Sequence, residues 1–190
     1  MTYVAFLRGI NVGGNHKVPM AELRQKLIDW GCENVKTILN SGNVIFDIRD
    51  DNSLPPTSER DGVRGQFHTN LESTLESYLS DCFGFPIPVM VRTMEEMNSL
   101  VQSNPFKHIA VHTDLRLYVS LLKTKPDTKI SLPYISEDES FQILAVRNSD
   151  VISVVDLSKG KTVNGMNDLE KLFGKNITTR NWNTINKIVQ

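Results

Sequence analysis

Apolar residues run almost without interruption from Tyr3 to Leu7 and stop at Arg8. A short continuous run of this kind predicts a strand buried on both faces. Polar residues and three glycines, Gly9, Gly13 and Gly14, separate it from Pro19, whose fixed φ suits the first turn of a helix. From there Met20, Leu23, Leu27 and Trp30 recur at helical spacing, and Gly31 is placed to end the helix. Residues 35–39 and 44–48 read as two strands of a hairpin across the turn signal Asn40-Ser41-Gly42-Asn43. Residues 49–66 have no period and little to bury, which predicts a long exposed loop. Leu71, Leu75, Tyr78, Leu79 and Cys82 then mark one face of a helix closed by Gly84. Residues 86–91 make a further strand, and its two prolines either place it at a sheet edge or confine regular pairing to its last residues.

The order β-α-β-β-α-β is the split βαβ plan of ferredoxin-like domains, an antiparallel four-stranded sheet with two helices on one face. The second half repeats it less cleanly. Thr93-x-x-Glu96 is a capping box for a short helix that ends before Asn104-Pro105. A strand is expected at 115–122 and a hairpin from 141–146 and 151–155. The stretch 123–139, with Pro126 and Pro133, has room for a short helix in place of a full one. Met166, Leu169, Leu172 and Phe173 mark a helix closed by Gly174, residues 177–180 a last strand, and Trp182, Ile185 and Ile188 a terminal helix. The expected architecture is α+β: two tandem ferredoxin-like subdomains with antiparallel sheets, 1–92 and 93–190, the second degraded and carrying the C-terminal helix. In that topology the strands at 3–7 and 115–122 stand inside their sheets.

Composition narrows the class. The chain has 190 residues, 39% of them hydrophobic, enough for a real core. A net charge of −1 argues against a protein coated in positive potential. The charge is segregated: residues 47–82 hold eight acids against three bases, a net of −5, and residues 157–190 hold six bases against two acids, a net of +4. Two solvated faces are the simplest reading. Cys32 and Cys82 are far apart in sequence and form neither a disulfide framework nor a zinc motif. The N-terminus lacks a signal-peptide pattern, and no run approaches the roughly 18–20 apolar residues of a membrane span. A cytoplasmic protein without membrane association or cofactor is expected.

The chemistry concentrates in two places. The loop Gly9–Lys17 matches neither G-x-x-x-x-G-K-[ST] nor G-x-G-x-x-G. Its glycines allow positive φ and close backbone approach, and Arg8, His16 and Lys17 flank them. Near the C-terminus, Arg180-Asn181-Trp182 offers a bidentate anion binder, an amide and a stacking surface. The candidate ligand-binding residues are therefore Arg8, Asn11, Gly13, Gly14, Arg180, Asn181 and Trp182, converging on one anion pocket. The structural alternatives are a tight loop in which Arg8 holds carbonyls or a carboxylate, and a helix capped by Thr179 or Asn181 above a buried Trp182. His108, His112 and Asp114 do not form H-E-x-x-H, so no metal is expected. No G-x-S-x-G elbow is present and no residue is assigned as a general base.

Three stretches, Tyr3-Val-Ala-Phe-Leu-Arg-Gly-Ile-Asn-Val-Gly-Gly14, Ser41-Gly-Asn-Val44 and Thr178-Thr-Arg-Asn-Trp-Asn-Thr184, resemble the bacterial family known as domain of unknown function 1697. The resemblance spans the start, the first hairpin and the C-terminus. It implies an α+β fold with tandem ferredoxin-like halves and carries no established activity. Three functions remain in order: a binder, or an enzyme, for a phosphate-bearing or carboxylated small molecule; a nucleic-acid module using a sheet face; and a protein–protein module using the two charged segments.

Overall fold

Strand β1 (Thr2–Leu7) lies inside a sheet of order β2-β3-β1-β4, completed by β2 (Glu33–Ile38), β3 (Asn43–Asp47) and β4 (Val89–Thr93), all neighbours antiparallel. The computed structural model describes residues 1–14, 16–48, 67–127, 130–160 and 162–190; the stretch 49–66, expected as a loop, lies outside the described residues. Val4 and Phe6 on one face of β1 and Ala5 and Leu7 on the other are all buried, which is why the strand reads as a continuous apolar run. Tyr3, Ala5, Leu7, Val44 and Phe46 share a core with Leu23 and Leu27 of α1 (Met20–Asp29) and Leu71, Leu75 and Leu79 of α2 (Phe67–Phe83). The α2 residue Tyr78 stacks on Trp30 at 5.8 Å and donates its hydroxyl to Lys26 O at 2.8 Å, fastening one helix to the other. Cys32 belongs to this core, and burial pushes its thiol up to about 12, so it packs as a small apolar residue.

The edge of this sheet is closed chemically. In the antiparallel register of β1 and β4, the N–H groups of Val89, Val91 and Thr93 point away from β1. Glu76 Oε1 accepts from Val89 N at 2.9 Å, Glu72 Oε1 from Val91 N at 2.8 Å, and Glu96 Oε2 from Thr93 N at 2.7 Å. Glu72 and Glu76 stand four apart on α2, one turn of helix, so both reach the same strand. Glu96 closes the capping box of α3 (Met94–Gln102), since its own N–H donates to Thr93 Oγ1 at 3.1 Å.

The chain divides into two compact units, Met1–Glu96 and Met97–Gln190. In the second, β5 (Leu115–Leu122) lies inside a sheet of order β6-β7-β8-β5-β9, formed with β6 (Tyr134–Ile135), β7 (Phe141–Arg147), β8 (Asp150–Asp156) and β9 (Ile177–Asn181), again all antiparallel. Helix α4 (Thr162–Phe173) joins β8 to β9, and α5 (Trp182–Ile188) follows β9 directly. The expected short helix in 123–139 is absent from the described residues of that stretch; β6 stands there instead. Pro126 and Pro133 each remove a backbone donor, which suits an edge strand of two residues better than a helix. The core of this sheet joins Leu122, Phe141, Ile143, Val151, Val155, Leu169 and Ile177. Gly165 lets α4 approach it closely, for a Cβ there would stand 2.6 Å from Phe141 Cδ2. No helix among the described residues is long and apolar enough to cross a membrane.

One carboxylate ties β1, β3 and the start of β2 together. Asp47 accepts from Thr2 Oγ1 at 2.5 Å and from Asn34 Nδ2 at 2.7 Å, and these hydrogen bonds, Thr2 first, hold its carboxyl below the usual range. A depressed folded-state pKa contributes stability at neutral pH that is lost as pH falls through it. Asp47→Asn should therefore be less stable than wild type at pH 7, with the gap closing in the acid range below about pH 4. Denaturant unfolding at several pH values measures this.

Candidate functional site

The loop that leaves β1 is fixed at its base and open at its tip. Leu7 N donates to Gly42 O at 2.8 Å and Arg8 N to Pro88 O at 2.9 Å, so the chain is held on both sides as the strand ends. Arg8 is half-buried at this rim. Gly9 turns the backbone with φ +71°, and Ile10 sinks to 3% exposure. Asn11, at φ +56°, then closes the loop with its side chain. Its Oδ1 accepts from Val18 N at 2.9 Å, while its Nδ2 donates to Val18 O at 3.0 Å and to Asn40 O at 2.9 Å. Its backbone N–H donates to His16 O at 3.1 Å. The side-chain amide thus substitutes for a strand neighbour of Val18 and pins the loop to the β2–β3 turn.

Beyond that clasp Val12, Gly13 and Gly14 are exposed. A Cβ at Gly13 or Gly14 would meet nothing within 4 Å, but their φ values of +61° and +80° are open to glycine at little cost. These two glycines are required by conformation and not by space. His16 stacks on Phe85 with centroids 4.6 Å apart, and Lys17 is exposed. Pro19 then opens α1 with no side-chain cap, and the first helical bond runs from Leu23 N to Pro19 O at 2.9 Å. The N–H groups of Met20, Ala21 and Glu22 precede that bond and have no acceptor within the helix.

The turn Ser41-Gly42-Asn43 is a packing partner of this loop. A Cβ on Gly42, at φ +73°, would lie 2.7 Å from Ile10 Cδ1 and 2.8 Å from Leu7 Cβ. Asn43, fully buried, donates Nδ2 to Ile38 O at 2.8 Å and to Ser41 Oγ at 2.9 Å. Two sequence motifs that look separate are therefore the two sides of one contact. Asn40, in the same turn, is the residue whose carbonyl Asn11 holds.

The remaining candidates belong to the second unit. Arg180 on β9 is 8% exposed, its Nη1 donating to Thr178 Oγ1 at 2.7 Å and to Thr179 O at 3.0 Å, and burial lowers its pKa to about 10. Asn181 caps α5, its Oδ1 accepting from Asn183 N at 2.9 Å. Trp182 is half-buried, edge-on to Phe106 at 5.2 Å. Arg92 on β4 repeats the arrangement in the first unit: 9% exposed, with Nη1 donating to Val91 O at 2.9 Å. Sequence reading passed over Arg92, although the strand–arginine–cap–helix order is legible in both places. The structure brings Arg8, Asn11, Gly13 and Gly14 together on one loop, with Asn11 engaged in holding it. His112 Nε2 faces Asp156 Oδ2 at 3.8 Å, and among the described residues no group of three or more His, Cys, Asp or Glu is arranged to hold a metal.

Two substitutions test this architecture. Gly42→Ala combines a positive φ with overpacking against Leu7 and Ile10, and should cost about 2–4 kcal/mol in denaturant unfolding. Asn11→Ala removes three side-chain hydrogen bonds at the loop base. It should cost about 1–3 kcal/mol and accelerate hydrogen exchange at the Val18 amide well beyond the effect on core amides.

Comparison with known proteins adds the following. A family model described as Protein of unknown function (DUF1697) matches residues 1–150, a span that includes the loop and its hairpin partner but ends before the 178–184 stretch. Among solved structures, the conserved bacterial protein SP0830 from Streptococcus pneumoniae is similar, with a TM-score of 0.66 and 24% identity, covering 100% of this chain and 97% of that one. At that identity the likeness speaks for the fold. No curated protein matches the chain. With the family model spanning well over half of its length, the chain belongs to the DUF1697 family of proteins of unknown function.

Proposed function

We propose that the first unit binds a phosphate-bearing or carboxylated small molecule at the loop between β1 and α1. The observation that carries this reading is the junction itself: an exposed tip with two positive-φ glycines leads into a helix whose first turn has no side-chain cap. Backbone N–H groups of that kind, at the positive end of a helix dipole, favour an anion. Arg8, His16 and Lys17 supply basic groups beside it. The proposed ligand set is Arg8 with the amides around Gly13 and Gly14, and the proposed site is confined to the first unit. Arg180, Asn181 and Trp182 are kept outside it: in the second unit Arg180 Nη1 donates to Thr178 Oγ1 and Thr179 O, Asn181 caps α5 and Trp182 packs edge-on to Phe106. No reaction is assigned.

We also infer that the two units are tandem ferredoxin-like halves. In each, the first strand stands between the third and fourth, as β2-β3-β1-β4 and β7-β8-β5-β9. Each also ends on an edge strand with a buried arginine, a capping residue and an immediate helix. The other functional readings have less support. Phe6 and Phe46 are fully buried, so neither offers a base-stacking surface. Glu72 and Glu76 of the acidic segment are engaged with β4 amides.

Inorganic phosphate titrated into the labelled protein should shift the amide resonances of Gly13, Gly14 and the first turn of α1. Arg8→Ala should weaken that binding about ten- to a hundredfold, the loss of one charge-assisted contact. A variant that melts many degrees lower would show that Arg8 holds the loop.

A further inference from the structure

The edge strand β9 differs from β4 in what meets its outer amides. Strand β9 has one sheet neighbour, β5. Lys123 N donates to Asn176 O at 3.1 Å, so in the alternating ladder Thr178 and Arg180 also face β5. The N–H groups of Ile177, Thr179 and Asn181, with the carbonyls of Ile177 and Thr179, therefore point away from the sheet. In β4 the outward amides meet Glu76, Glu72 and Glu96. Among the described residues no side chain accepts from those of β9. The sequence accounts for the difference. Glu72 and Glu76 stand twelve and eight residues before Gly84, which follows α2; the same offsets before Gly174, which follows α4, hold Thr162 and Met166. Met166 packs against the core of the second unit. Three residues after Asn181 stands Thr184, where Thr93 has Glu96.

The side chains of β9 are already engaged within their unit. Ile177 lies in the core, and Thr178 Oγ1 accepts from Arg180. Thr179 Oγ1 shares a hydrogen bond with Ser120 Oγ at 2.8 Å, and Asn181 caps α5. What remains for recognition is a fixed main chain, the part of a sheet edge that strand addition uses. Its surroundings set the sign of the partner. Residues 171–190 hold Lys171, Lys175, Arg180 and Lys187 and no acid. A second copy would bring like charge to this edge, whereas an acidic strand brings the opposite charge.

We propose that the outer edge of β9 is a docking site for an extended acidic segment of another protein, which adds to the five-stranded sheet as a further strand. The main chain at Ile177, Thr179 and Asn181 supplies the hydrogen bonds, and the basic residues around β9 select the charge. The inference is independent of the anion-binding reading of the β1–α1 loop.

The test titrates the intact, isotope-labelled protein with a synthetic octapeptide of alternating glutamate and valine. Amide shifts should centre on Ile177, Thr179 and Asn181, and affinity should fall with added salt. The same peptide N-methylated at every residue keeps its charge but cannot pair, and should bind at least about tenfold more weakly. A peptide with lysine in place of glutamate should lose as much. Thr179→Pro removes one outward amide without touching the β5 ladder, and should weaken the glutamate peptide to a similar extent. Should that variant fail to fold, the N-methylated peptide decides the matter on the wild-type protein. Equal binding of the N-methylated or the lysine peptide would overturn the proposal, as would the absence of shifts at β9 at millimolar peptide. Concentration-dependent dimers whose β9 amides are already protected from hydrogen exchange would also overturn it, in favour of a second copy.

Discussion

Gly42 sets the spacing on which the first unit depends. With no side chain there, the β2–β3 turn approaches Leu7 and Ile10 to a distance that a single methyl group would fill. That approach allows the Gly42 carbonyl to receive the last strand amide of β1, and it brings Asn40 within reach of Asn11. The clasp at Asn11 fixes the base from which residues 12–14 project. An exposed glycine tip is ordinarily a poorly fixed object; here its two ends are determined by groups at the sheet's rim. Conformational cost is met at the base, by satisfied amides and a buried Ile10.

Arginine is used in two ways on these strands. Arg8 lies where β1 leaves the sheet and is half-buried. Arg92 and Arg180 lie within edge strands, almost covered, each returning an Nη1 hydrogen bond to the carbonyl of the preceding residue. A guanidinium carries several donors in a fixed fork, so it can be buried while its N–H groups are matched to hydroxyls and carbonyls. The location of a basic residue in a strand therefore says little until its depth is known.

Much of the fold was legible because hydrophobic period and turn chemistry agree along the chain. The apolar run from Tyr3 to Leu7, the helical spacing from Met20 to Trp30 and the capping box at Thr93–Glu96 each correspond to the element they signal. The stretch from 123 to 139 did not yield, because two prolines weaken helix and strand alike and the choice fell to pairing with β7. The site was legible as a loop but not as a mechanism. Asn11 reads in sequence as a possible ligand, yet its side chain is occupied by Val18 and Asn40, a contact across 29 positions that no local pattern reports.

The three glutamates along β4 bear on how this protein survives crowding. Val89, Met90 and Val91 form an apolar edge that would otherwise invite a strand from another molecule. With Glu76, Glu72 and Glu96 occupying its outward amides, an incoming chain would have to displace charged acceptors before gaining a hydrogen bond of its own. Self-association through this edge is thereby coupled to the detachment of α2, which supplies two of the three.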